Sequence, residues 1–267
     1  MTASVRSVPV RGQEYEYIEF GNGPKDLVIV AGMNLCGIMD QANAVADAYA
    51  MFAEEYTVRV FDRLPVLPAG YTVDNMAADL GAALDALGVT GADFLGTSQG
   101  GMIVLRLVID RPELVRAAVI SSSSCCPNPT SEETFTLWRD TALRRDPAAV
   151  NDVSFRRIYT EKFREDNAGA FAALMHTGTP EQCERFAVLA EACRVFDCAA
   201  ELDKIRCPVL VIGVWGDMVL SGKASVDLAR RLGCEVHMYE GFGHSVCDEA
   251  PDFKQRIFDF YRRAAAK

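Results

Sequence analysis

The chain has 267 residues, half of them hydrophobic and 24% charged, a composition that fits a globular protein able to bury a large core without disulfides or metals. Its 37 acidic and 27 basic residues leave a net charge of −10 with no Lys/Arg-rich run, which argues against a nucleic-acid partner, since neutralising phosphates takes a concentrated basic surface. No apolar stretch reaches the roughly 18 residues of a membrane span, Met1 to Arg11 lacks the apolar core of a secretory signal, and the nine cysteines show no regular spacing, so the expected setting is the cytoplasm with free thiols.

Val5–Val10 and Glu14–Phe20 flank Arg11-Gly12-Gln13 and predict an opening β-hairpin. Gly21-Asn22-Gly23-Pro24 is a turn, and Leu27–Ala31 is a short, continuously apolar strand of the kind buried in a parallel sheet. A helix is expected over Gln41–Glu55, with Asp40 as its N-cap, followed by a strand at Thr57–Phe61. Met76, Leu80, Ala83, Leu84 and Leu87 give helical spacing from Val73 to Leu87, and Gly88 is a natural stop. A strand at Ala92–Leu95, a helix at Gln99–Ile109 and a strand at Ala117–Ile120 continue the alternation.

The rhythm then breaks. From Pro127 to about Phe196 there are only helical patterns, around Glu132–Leu143, Ser154–Phe163, Ala168–Met175 and Glu181–Ala192. Alternation resumes with a strand at Val209–Gly213, a helix near Ala224–Leu232, a strand at Glu235–Tyr239 and a helix near Phe253–Arg263. This order implies an α/β fold: a mainly parallel central sheet flanked by helices, with a helical cap inserted after the sixth strand. Residues 1–126 and 197–267 form the core in this reading, and residues 127–196 form a lid above the carboxyl edge of the sheet, where such folds bind ligands.

The strongest local signal is Gly96-Thr97-Ser98-Gln99-Gly100-Gly101, set between a short apolar strand and an apolar helix. A G-x-S-x-G elbow in this setting holds its serine in a strained turn at a helix N-terminus, where backbone N–H groups favour developing negative charge. Serine needs a base. Of the three histidines, His244 lies in a glycine-rich loop just after the last strand, whereas His176 lies in the helical insertion and His237 within a strand. The base needs an orienting carboxylate, and Asp217, just after Val209–Gly213, stands at the same edge. The alternative position, after Ile120, offers only serines and cysteines.

Two backbone N–H groups are needed for the oxyanion, one from Gln99 and one from Met33 in the loop after Leu27–Ala31. The side chains of Met33 and Gln99 are free to vary or to touch substrate. No cofactor is implied. Cys234-x-x-His237 and His244-x-x-Cys247 have ligand-like spacing, but residues three apart on a strand face opposite ways, so no metal is expected.

These residues resemble the α/β-hydrolase superfamily, in particular its cap-bearing esterases and enol-lactonases. The likeness runs through Asp79-Leu80 and Leu84–Val89, the elbow at Gly96–Gly101, Phe196-Asp197 with Leu202–Ile205 and Pro208–Gly213 leading to Asp217, and Gly243-His244 with Glu249-Ala250-Pro251. Three positions depart from the pattern: Ala31 and Thr97 replace common histidines, and Leu64-Pro65-Val66-Leu67-Pro68 replaces a glycine-rich loop. The resemblance implies hydrolysis of a small carboxylic ester, lactone or thioester through an acyl-enzyme on Ser98, by a monomer or homodimer acting on a small-molecule acyl substrate. A lyase or synthase using the same three residues, and a non-catalytic ligand-binding member of the fold, remain open at this stage.

Overall fold

In the computed structural model, which describes residues 2–266, strands β1 (Ser4–Val10) and β2 (Gln13–Phe20) form an antiparallel hairpin. Its turn passes through Arg11 and Gly12, both at positive φ. β3 (Lys25–Val30) and β4 (Tyr56–Phe61) follow, then β5 (Ala92–Thr97), β6 (Val115–Ser121), β7 (Val209–Val214) and β8 (Glu235–Tyr239). One eight-stranded sheet results, in the order β1-β2-β4-β3-β5-β6-β7-β8. Pairing is antiparallel for the first three strands of that order and parallel from β4 onward.

Strand side chains alternate between faces, and the sheet feeds two cores. Val28, Val30, Phe94, Ala118, Ile120 and Val211 enter one of them. There they meet helices α2 (Val73–Leu87), α3 (Gln99–Asp110) and α9 (Gly222–Leu232). Leu27, Ile29, Leu95, Val119, Leu210 and Ile212 enter the other, against α11 (Phe253–Ala265). α2 stops at Gly88 in the left-handed region, φ 67°, as its sequence predicts, and starts on a Thr72–Asn75 capping box that the sequence reading did not name.

The helix expected over Gln41–Glu55 is broken. α1 spans only Ala42–Ala48, between 3-10 turns at Met39–Gln41 and Ala50–Phe52. Asp40 sits inside the first turn and caps nothing. Ala46 is the one buried residue of α1, too narrow an apolar face to sustain a long helix. The tighter turn after Tyr49 carries Phe52 inward against Tyr56 and Phe258.

Between β6 and β7 run α4 (Pro129–Ala142), α5 (Pro147–Ile158), α6 (Glu161–Asp166), α7 (Ala168–Leu174) and α8 (Pro180–Val195). The single helix expected over Ser154–Phe163 is two, divided at Tyr159 and Thr160. The Thr160 hydroxyl accepts from Phe163 N at 3.2 Å and caps α6. α4 and α8 pack on each other through Phe135, Trp138 and Phe186, whereas α6 and α7 bury no residue. A short helix, α10 (Val246–Glu249), follows the loop after β8. Among the described residues no helix is long and apolar enough to cross a membrane.

Tyr261 joins α11 to the sheet: it is fully buried, and its hydroxyl donates to the Phe94 carbonyl at 2.6 Å. Tyr261→Phe leaves that carbonyl without this donor and is expected to lower stability by about 1 kcal/mol. A urea midpoint unchanged from the parent would show that the bond contributes nothing net.

Candidate active site

Every parallel strand ends at the same edge. Thr97 pairs with Ser121, Ser121 with Ile212, and Val214 with Tyr239, so the residues just beyond each strand meet in space. Ser98 stands between β5 and α3 with φ 55° and ψ −120°, a strained conformation for a non-glycine residue. The turn fits only because its neighbours are bare. A Cβ on Gly96 would lie 2.5 Å from the Gly100 carbonyl oxygen, and one on Gly100 would lie 2.0 Å from that of Val30. From the end of β6, the Ser121 carbonyl accepts from Ser98 N at 2.9 Å, and the Ser123 hydroxyl donates to the Ser98 carbonyl at 2.8 Å.

Ser98, His244 and Asp217 come together as one chain of hydrogen bonds. Ser98 Oγ lies 2.9 Å from His244 Nε2, and His244 Nδ1 lies 2.8 Å from Asp217 Oδ2. All three are buried. The second carboxylate oxygen of Asp217 accepts from Val219 N at 2.8 Å and Leu220 N at 3.0 Å. Burial pushes the Asp217 carboxyl up, but the facing His244 ring and these two N–H groups outweigh it and hold it below its ordinary value. An ionised Asp217 accepts only, which puts the imidazole proton on Nδ1 and leaves Nε2 to accept from the serine. His176 is exposed, and His237 packs edge-on against Tyr239 at 4.5 Å; neither joins this chain.

A cavity of about 290 Å³ opens over Ser98 and His244. Its walls are mostly apolar, including Met33, Ile38 and Val45, with Trp138, Ile158 and Tyr159 from the helical insertion. No lysine or arginine is among the lining residues described, while Asp248 stands at the wall. Met33 lies in the loop that passes directly over the serine: a Cβ on its neighbour Gly32 would be 3.5 Å from Ser98 Cβ. Gln99 is the first residue of α3, where a helix leaves its N–H groups without intrahelical acceptors.

The Gln99 side chain does not touch the cavity, contrary to one option the sequence left open. It is wholly buried, accepts from Arg63 Nε at 2.8 Å, and donates to the Leu189 carbonyl at 3.0 Å. Of the aromatic residues in the insertion, Phe155 and Phe171 line a separate cavity of about 330 Å³ within α5–α7, which holds no serine, cysteine or histidine. Sequence reasoning also missed the ties between the insertion and the histidine loop. Tyr159 OH donates to Asp248 Oδ2 at 3.0 Å, and Glu249 accepts from Thr160 N, Thr160 Oγ1 and Gly243 N at 3.1, 2.7 and 3.2 Å. No local pattern marks such pairs. Among the described residues no group of three or more His, Cys, Asp or Glu is placed to hold a metal ion.

Because the folded carboxyl of Asp217 sits below its ordinary value, its contribution to stability is present above the ordinary carboxylate pKa and lost as pH falls through the lowered one. Asp217→Asn is therefore expected to flatten the acid side of the stability curve, measured by urea unfolding from roughly pH 6 to pH 3. An acid limb as steep as the parent's would mean that Asp217 gains nothing from its partners in the fold.

Comparison with known proteins agrees with this architecture. A family model for the alpha/beta hydrolase fold matches residues 62–189. A Pseudomonas savastanoi pv. phaseolicola protein named "Putative carbamate hydrolase RutD" is 30% identical over 230 residues, covering 80% of this chain and 87% of the relative. The 3-oxoadipate enol-lactonase 2 of Acinetobacter baylyi is 26% identical, covering 73% of each chain. Among solved structures, the alpha/beta hydrolase enzyme MGS-M2 from a Medee basin deep-sea metagenome library superposes with a TM-score of 0.84 at 18% identity, covering 97% of both chains. The chain belongs to the α/β-hydrolase family.

Proposed function

We propose that this chain is a serine hydrolase that cleaves a small carboxylic ester, lactone or thioester. The observation that carries the reading is the unbroken Ser98–His244–Asp217 chain, with links of 2.9 and 2.8 Å, at the floor of a cavity. Ser98 Oγ attacks the substrate carbonyl carbon while its proton passes to His244 Nε2. The Met33 and Gln99 N–H groups receive the charge that builds on the carbonyl oxygen. The tetrahedral centre collapses, the carbonyl–heteroatom bond breaks, and His244 returns its proton to the leaving group. Water then repeats the sequence on the acyl-enzyme, giving the acid and free Ser98. Asp217 fixes the ring tautomer throughout.

The names of the two relatives support carbonyl chemistry of this kind, and carbamates are a second substrate class that the same attack serves. Residues 127–196 act in this reading as a lid, since Trp138, Ile158 and Tyr159 close one side of the cavity.

A series of p-nitrophenyl esters of increasing acyl length, run on the parent and on Ser98→Ala, tests the reading. Turnover by the parent and a loss of roughly 10⁴- to 10⁶-fold in kcat for the variant are expected. Equal rates from both proteins would refute it, and product analysis separates hydrolysis from a lyase or synthase outcome.

The charge of the wall adds a second expectation. With Asp248 present and no cation among the described lining residues, a carboxylate on the acyl chain is disfavoured. The kcat/KM for p-nitrophenyl hexanoate should exceed that for mono-p-nitrophenyl adipate about tenfold, and Asp248→Asn should narrow the gap about threefold. Preference for the adipate ester would contradict a site built for neutral acyl groups.

A further inference from the structure

Arg63 lies just beyond β4, and its side chain is 1% exposed. Its guanidinium has no solvent to satisfy it and spends its donors on two separate segments. Nε and Nη2 donate to Gln99 Oε1 at 2.8 and 2.5 Å, and Nη1 donates to the Ala31 carbonyl at 2.7 Å. Asp62 Oδ1 stands 3.5 Å from the same group. Ala31 begins the loop that carries Met33 over the serine, and Gln99 follows the serine itself. One planar fork thus spans the ends of β3 and β5, the two strand ends from which the proposed oxyanion donors arise.

Burying a guanidinium is costly, and well-packed apolar residues often serve stability as well or better. The guanidinium is planar and rigid, with two N–H groups on one Gln99 oxygen and a third on Ala31, so it fixes their spacing as a lysine could not. Gln99 is fixed from its other end as well, through Nε2 to the Leu189 carbonyl and Cys193 Sγ, both at 3.0 Å on α8. Arg63 itself does not face the reacting atoms. It lines a neighbouring cavity of about 270 Å³ with Asp62 and Arg185, and it is absent from the wall of the Ser98 cavity.

We infer that Arg63 is the positioning residue of the oxyanion site, setting the distance between the Met33 and Gln99 N–H groups through Ala31 and the Gln99 amide. This rests on the serine chemistry proposed above. Its effect is confined to steps in which negative charge develops at the reacting centre, because the donors still exist when the fork is removed and only their aim is lost.

The test compares the parent, Arg63→Met and Arg63→Lys in two measurements: the second-order rate of Ser98 labelling by a fluorophosphonate, and steady-state ester kinetics. Labelling rate and kcat are expected to fall together by about 10- to 100-fold with KM within about threefold. Arg63→Lys keeps a buried cation but not the fork, so it should remain at least about tenfold down; it decides alone if Arg63→Met does not fold. A folded variant that labels within threefold of the parent overturns the inference, as does a raised KM at unchanged kcat, which would mark a role in binding or packing only. A parent whose Ser98 is not labelled at all overturns the serine-hydrolase reading, and the inference falls with it.

Discussion

The backbone of Ser98 is the constraint on which the site depends. A non-glycine residue held at φ 55° and ψ −120° stores on the order of 1–3 kcal/mol, and it persists only where its surroundings over-determine it. Here they do so from three directions. β6 holds the turn through the Ser121 carbonyl, and the segment just after it through the Ser123 hydroxyl. β3 presses against Gly100, and α3 leaves the turn through Gly101, where a Cβ would meet the Ser123 side chain at 2.6 Å. The parallel sheet supplies this rigidity because its strand ends are in register. The reward of the strained turn is that Oγ projects from the carboxyl edge toward His244 instead of lying along the strand.

Charge is distributed around that turn with a sign that matches the chemistry proposed for it. Behind it the buried Arg63 stands 3.5 Å from Asp62, and burial lowers the pKa of the neighbouring Arg185 although Asp62 acts against this. At the cavity wall stands Asp248, and no lysine or arginine is among the lining residues described. A carbonyl oxygen that gains negative charge would move toward the donors, whereas a substrate already negative would meet a carboxylate on its way in.

Much of this was legible in the sequence, because short buried strands and apolar helices leave local marks. The eight strands, α2 with its stop at Gly88, and the three residues brought together at the edge all follow from periodicity, turn residues and chain order. What was not legible depends on partners far away in the chain. Gln41–Glu55 reads as one helix until Phe52 must reach Phe258, and Gln99 reads as a free side chain until Arg63 is seen 36 residues away. The Tyr159–Asp248 and Thr160–Glu249 pairs, each separated by 89 residues, have no local pattern at all. For Arg63 there was a faint signal: a charged pair, Asp62-Arg63, between the end of a strand and the apolar run Leu64–Pro68. Such a pair within an apolar stretch has to be satisfied internally.

His244 follows Ser98 by 146 residues and Asp217 precedes His244 by 27. During synthesis, then, the elbow emerges from the ribosome long before His244, its hydrogen-bond partner in the folded chain. β5 and β6 can pair early, but β7 and β8 must first be made and laid down at the far side of the sheet. In the reading proposed here, a nascent chain carrying only its first half lacks the partner Ser98 needs, and the serine meets His244 only when the last strand is in place.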